Sequence, residues 1–188
     1  MQEKKLSPEE IVVEFKKKFK EGILEDRIFK RAVGKKKKEF FQIWIKIRKE
    51  ILREVIKHLM SIEKFPHLAI ISGNDLPGKI ELIYHFSIYY GEKLKEISIN
   101  FSLDVPKENL IVPTITDLIP GALITEREKQ EMLGIKFENI PDSRRIFLGK
   151  KFPEGVYPWR KDSFGAEKYV KKLDSDLRNR EMIKKKDG

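Results

Sequence analysis

Carboxylates crowd one short stretch of this chain: Glu126, Glu128 and Glu131 stand close together, with Arg127 between the first two. Groups so spaced can ligate a divalent metal, serve as acid and base, or pair with cations. A carboxylate-bridged metal centre asks for Glu-x-x-His and further Glu residues from other helices, and no His follows here. Taken alone, the stretch reads as a solvated or salt-bridged helix face, with Glu128 and Glu131 on one side and Arg127 reaching Glu131. The three histidines, His58, His67 and His85, have spacings that match no ligand pattern. With no cysteine, the chain can form no disulfide, thiolate-held zinc site, iron–sulfur cluster or cysteine nucleophile. Neither a Gly-x-Ser-x-Gly elbow nor a phosphate-binding glycine motif occurs. What remains is docking chemistry. Arg144 and Arg145 beside Asp142, and Arg160 and Lys161 beside Asp162, lie in proline-bounded stretches without periodicity. A guanidinium there can grip a carboxylate with two parallel hydrogen bonds and tolerates burial in an interface.

These residues need elements to hold them. Ser7, Pro8 and Glu10 predict an N-cap, N1 and N3 of a capping box, Leu6 and Ile11 a hydrophobic staple, and Ile11, Phe15 and Phe19 the apolar stripe of a first helix ending at Gly22. Two strands follow, around 24–33 and 39–47, joined by Gly34 and the run Lys35 to Lys38; Phe41, Ile43, Ile45 and Ile47 alternate strictly, with Trp44 facing the other way. A second helix over about 48–62 places Ile51, Val55, Leu59 and Ile62 on one face. Residues 68–71 read as a short buried strand, ended by a turn through Gly73, Asn74, Asp75, Pro77 and Gly78. Alternation is clearest from Ile80 to Tyr90 and again from Ile97 to Leu103, a half-buried antiparallel hairpin turning at Gly91 and Glu92.

The whole is an α+β fold, a mainly antiparallel sheet covered by helices, followed by an extended proline-punctuated segment and a charged C-terminal tail. The expected division is 1–105 for the α+β part, 106–165 for the segment, with one helix at about 121–133 ended by Gly134, and 166–188 for the tail. A segment with so little periodicity gains its order from something it lies against, and 106–165 is expected to complete its fold by docking on neighbouring polypeptides. No apolar run approaches the ~20 residues that span a bilayer, and the N-terminus carries no signal-peptide or lipidation motif, so the expected place is the cytoplasm.

Across 188 residues the formal net charge is +10, which invites nucleic acid, an anionic membrane face or an acidic protein surface. Nucleic acid is the alternative reading, best supported by Lys35 to Lys38 beside Phe40 and Phe41. The cations are otherwise scattered and the sheet lacks the aromatic pattern of RNA-binding sheets, so no nucleic-acid partner is expected. Abundant Lys, Arg and Glu with no Cys match proteins of heat-loving organisms.

From Val112 onward the residues form one phrase: Pro113-Thr114-Ile115-Thr116, Glu126-Arg127-Glu128, Met132-Leu133-Gly134-Ile135-Lys136-Phe137, Pro141-Asp142, Arg144-Arg145-Ile146, Leu148, and Tyr157-Pro158-Trp159-Arg160-Lys161-Asp162. That succession resembles the signature of the C-subunit family of complex I, the NADH:quinone oxidoreductase, shared with membrane-bound [NiFe] hydrogenases and sulfur-reducing respiratory complexes of archaeal type. Glu131 in place of the family's usual Asp, Asn139-Ile140 in place of Gly-His and Trp159 in place of Leu favour the hydrogenase or sulfur-reducing branch. The resemblance implies a hydrophilic-arm subunit with no catalytic residue, cofactor or metal of its own, held peripherally on the cytoplasmic side of the membrane. Its neighbours would be a hydrogenase-like large catalytic subunit and a small iron–sulfur subunit, with membrane ion-translocating subunits contacted indirectly. Iron–sulfur clusters and a NiFe centre would belong to those neighbours. Glu126, Arg127, Glu128, Asp142, Arg144, Arg145, Arg160, Lys161 and Asp162 would then orient backbone turns and pair with charges on the partners.

Overall fold

The computed structural model describes residues 5–34, 37–91 and 95–169, so Lys35, Lys36, Glu92 and the charged tail from 170 on lie outside the described residues. Helix α1 (Pro8–Phe19) starts with the expected capping box: the Ser7 hydroxyl accepts from the Glu10 N–H at 3.1 Å and the Glu10 carboxylate accepts from the Ser7 N–H at 2.8 Å. Strands β1 (Ile23–Val33) and β2 (Lys38–Ile47) pair antiparallel, a single-turn helix leads into α2 (Leu52–Ile62), and β3 (His67–Leu76), β4 (Lys79–Ile88) and β5 (Ile97–Pro106) complete a sheet of order β1-β2-β5-β4-β3. Only the central β2–β5 pair is parallel, because α2, β3 and β4 lie between those two strands in the chain.

Alternation decides which face is buried. Ile43, Ile45 and Ile47 of β2, Leu82, Tyr84 and Phe86 of β4, and Ile99, Phe101 and Leu103 of β5 point to one side and are buried. Helices α1 and α2 cover them through Ile11, Phe15, Leu52, Val55, Ile56 and Leu59, with the Phe15 and Phe101 rings 5.3 Å apart. The centre of the α2 stripe is therefore Leu52 and Ile56, and the expected Ile51 and Ile62 flank it half-buried.

Three further expectations need correction. Residues 67–76 form one edge strand running through Gly73, Asn74 and Asp75, not a short buried strand ended by a turn; Ile70 is exposed, and the turn is confined to Pro77 and Gly78. Strand β4 stops at Ile88, because Tyr89 takes a left-handed φ of 58° and sends Tyr90 out of the alternation into solvent. Finally, what 106–138 lies against is the chain's own sheet. Strand β6 (Ile111–Pro113) pairs parallel with β7 (Lys136–Glu138), α3 (Ala122–Leu133) joins them, and Val112, Ile115, Ala122, Leu133, Ile135 and Phe137 enter the same core as the α+β part. Strands of three residues are too short to show any period.

Two glycines let α3 sit where it does. At Gly73 a Cβ would collide with the Leu133 side chain, so the bare backbone of β3 lets α3 approach. Gly134 ends α3 in the left-handed region at φ 78°, and a Cβ there would stand 2.6 Å from the Tyr157 ring. Gly134→Ala combines an unfavourable φ with overpacking and is expected to cost roughly 2–4 kcal/mol in urea unfolding; a loss below about 0.5 kcal/mol would contradict this account of the helix exit.

A candidate docking site built on one helix

Helix α3 carries three of the nine sequence-predicted site residues, Glu126, Arg127 and Glu128, and its polar side chains are largely occupied in holding three flanking segments. On its inner side Glu126 is fully buried. Its carboxylate accepts from the Thr114 hydroxyl at 2.5 Å and the Ile115 N–H at 2.9 Å, while the Thr114 hydroxyl lies 2.9 Å from that of Thr116. Arg53 of α2 reaches the same turn, donating to the Thr114 carbonyl at 2.5 Å and bidentately to Asp117 at 2.7 Å. Hydrogen bonding to Arg53 holds Asp117 down at about 2, whereas burial pushes Glu126 up to about 7 despite the opposing bonds from Ile115 and Thr114.

One turn further along, Glu131 faces the loop after Pro141. Its two oxygens accept three successive backbone N–H groups: Ile146 at 3.0 Å, Phe147 at 2.9 Å and Leu148 at 2.5 Å. Burial acts against ionisation there, but the Phe147, Ile146 and Leu148 amides outweigh it and hold the carboxyl below its ordinary value. Arg127, on the same side, donates to the Arg144 carbonyl at 2.8 and 2.6 Å and pairs with Asp142 at 3.1 Å. The expected Arg127–Glu131 pair on a solvated helix face is thus replaced by two separate clamps on one loop. Asp142 also accepts from the Arg144 N–H at 3.0 Å and from the Arg144 guanidinium at 2.9 and 2.8 Å, and it lies well below the usual carboxylate range for that reason. Arg145 donates to the Phe152 carbonyl at 2.9 Å.

The third segment closes over the helix end. Trp159 donates its backbone N–H to the Met132 carbonyl at 3.0 Å, and Arg160, buried, reaches the Leu133 carbonyl at 3.4 Å and grips Asp162. Asp75 of β3 accepts the Lys161 N–H at 2.6 Å and pairs with Lys107 at 2.6 Å, which also pairs with Asp162 at 2.9 Å. Burial opposes the ionisation of Asp162, yet Arg160 and Lys107 hold its carboxyl well below the ordinary value. Lys129 is buried as well, bound to Glu128 and 4.7 Å from the Trp159 ring centre, where the ring face attracts its charge.

The structure therefore brings Glu126, Arg127 and Glu128 onto one helix and sets Asp142, Arg144 and Arg145 on its outer loop and Arg160, Lys161 and Asp162 on the closing one. The Arg144 side chain is exposed, and so is Lys161. Thr114, which stands in the signature phrase but is not among the expected site residues, completes the arrangement with Lys129, Asp75 and Lys107, which give no sequence signal because each has the type expected of a solvated turn or helix. Among the described residues no three His, Cys, Asp or Glu side chains are grouped as a metal would require. The histidines stay apart: His58 is half-buried beside Phe15, His67 stands against Tyr90, and His85 bridges Ser72 and Asn100.

Glu126 gives this site a pH signature. Its value in the fold exceeds the ordinary 4.5, so its contribution to stability is complete below pH 4.5 and is lost as pH rises through about 7. Glu126→Gln imitates the protonated form. Urea unfolding should find the two proteins of similar stability near pH 4.5 and the variant ahead by roughly 3 kcal/mol at pH 8; parallel pH profiles would rule out a strained buried carboxylate.

Comparison with known proteins agrees on the lineage. The chain is 34% identical over 131 residues to the membrane-bound hydrogenase subunit beta of Pyrococcus furiosus, an alignment covering 69% of this chain and 75% of that one. Formate hydrogenlyase subunit 5 of Escherichia coli is 30% identical across 65% of this chain, which corresponds to 21% of its own length. A solved chain of the membrane-bound sulfane sulfur reductase, an archaeal respiratory membrane complex, shares the fold with a TM-score of 0.66 over 91% of this chain and 89% of that chain, at 20% identity. Residues 45–169, well over half of the chain and including α3 with its three clamped segments, match the family described as respiratory-chain NADH dehydrogenase, 30 Kd subunit, and to that family this protein belongs.

Proposed function

We propose that this chain is a non-catalytic hydrophilic-arm subunit of a complex I-like, membrane-bound respiratory complex of the hydrogenase or sulfur-reducing type. It supports assembly by positioning a large catalytic subunit and an iron–sulfur subunit, which hold the redox centres, and reaches the ion-translocating membrane subunits only through them. It sits peripherally on the cytoplasmic side of the membrane. No described helix is long and apolar enough to cross a bilayer.

One observation carries the reading. Residues 139–169 contain almost no regular structure, are fastened to α3 by ionic and backbone clamps, and turn large apolar side chains outward: Phe147 is 57% exposed, Phe164 54% and Trp159 44%. Polar inside and apolar outside is the reverse of an ordinary surface loop and suits a docking face, with buried aromatics at the centre of an interface and cations at its rim. Arg144, Arg145 and Lys161 supply such a rim. On this reading residues 1–105 form the carrier, 106–165 the docking segment and 166–188 a tail that extends the contact.

Phe147→Asp tests it, because the side chain is exposed and the Glu131 clamp uses only the backbone of that residue. The variant chain should unfold within about 0.5 kcal/mol of the parent. Affinity purification from the native host should recover the large and iron–sulfur subunits roughly tenfold less well. Undiminished recovery would contradict the docking role.

A further inference from the structure

The sheet face turned away from the helices carries a second set of exposed aromatics. Strand register sets Arg27 against Trp44, Phe29 against Gln42 and Arg31 against Phe40, and alternation puts all six on that face. Strand β2 takes up its pairing with β5 only at Phe41, so the chain beyond it stands out from the sheet as a two-stranded arm; Phe40 is exposed on the arm and Phe29, opposite Gln42, at its root. Between Arg27 and Lys38 the sequence holds seven cations and no carboxylate.

At the root of the arm lies a cleft of about 500 Å³, with Phe29, Trp44, Gln42 and Ser102 in its lining and Glu25 and Glu81 among its acidic groups. The Trp44 ring meets His85 edge-on at 6.1 Å. His85 is itself held between the Ser72 hydroxyl at 2.9 Å and the Asn100 side-chain oxygen at 2.7 Å, and the Asn100 amide donates to the Ile43 carbonyl at 3.2 Å. That chain of bonds fixes the aromatic wall in advance, which lowers the ordering cost of binding. The Glu25–Arg27 pair, 3.5 Å long between two well-exposed side chains, is easily exchanged for another partner.

We propose that this face, from the Trp44–Phe29 cleft to Arg31 on the arm, docks an acidic amphipathic segment of a neighbouring polypeptide in the same complex. An apolar side chain of that segment fills the cleft, and its carboxylates pair with Arg27 and Arg31. The proposal rests on reading the chain as a subunit, and it concerns a surface separate from the docking segment. Charge decides between classes of partner. An evenly charged phosphate backbone would meet Glu25 and Glu81 at the cleft, whereas a polypeptide can place its carboxylates along the arm alone.

The test uses the full-length chain assembled in its native host, with p-benzoylphenylalanine in place of Phe29 or, separately, of Phe147, followed by irradiation and sequencing of the joined peptide. Position 29 should join to a co-assembled subunit at a segment with Asp or Glu beside large apolar residues, and Arg31→Glu should cut that yield roughly fivefold without lowering the yield at 147. Joining at 29 to nucleic acid, lipid, a second copy, this chain's own tail or a segment without carboxylates overturns the proposal, as does silence there while 147 reacts. Silence at 147 with the expected product at 29 overturns the docking role of the 139–169 segment instead, and silence at both overturns both.

Discussion

The second half of this molecule depends on carboxylates of one helix accepting backbone N–H groups from the chain on either side. Glu126 holds the turn before α3 and Glu131 holds the loop after it. A non-periodic segment has no ladder to satisfy its amides, and an amide buried without a partner costs about 1–3 kcal/mol. A carboxylate offers up to four acceptor sites at one place, so a single side chain on a rigid helix can replace a missing strand. The two clamps differ in consequence. Glu131 has three donors and stays ionised with ease, whereas Glu126 has two and is deeply buried, so its charge is held at a cost.

Satisfying the backbone from within has a structural effect on the outside. With its polar groups turned toward α3, the loop from Asp142 to Leu148 has its apolar side chains left over, and Phe147 points to solvent. Arg127 reinforces the same loop through the Arg144 carbonyl, and Asp75 with Lys107 and Asp162 fastens the next one to the edge of the sheet. Edge strand β3 thereby packs against α3 at Gly73 and is tied to the C-terminal segment through Asp75.

The legible parts of the fold are those with a period. The β4–β5 hairpin, β2 and the capping box of α1 follow from alternation and spacing, and the α+β arrangement follows from them. Strand β3 is not legible at its far end, because Gly73, Asn74 and Asp75 look like a turn when taken by type. Each has a tertiary reason to be in a strand: Gly73 admits Leu133, Asn74 donates to Glu81, and Asp75 receives Lys107 and the Lys161 N–H. Helix α3 itself is legible, but the burial of Glu126 and Lys129 is not, because charged residues on a helix read as solvated until their partners are known. The signature residues stand out through family resemblance; their geometry, in which Arg127 serves Arg144 and Asp142 and not Glu131, comes only with the fold.

If the Glu131 clamp forms the loop before any partner arrives, amide hydrogen exchange on the free full-length chain reveals it. The Ile146, Phe147 and Leu148 amides should exchange roughly tenfold or more slowly than in a Glu131→Gln chain, with no other subunit present. Exchange at the unprotected rate in the free chain, slowing only within the assembled complex, would contradict it.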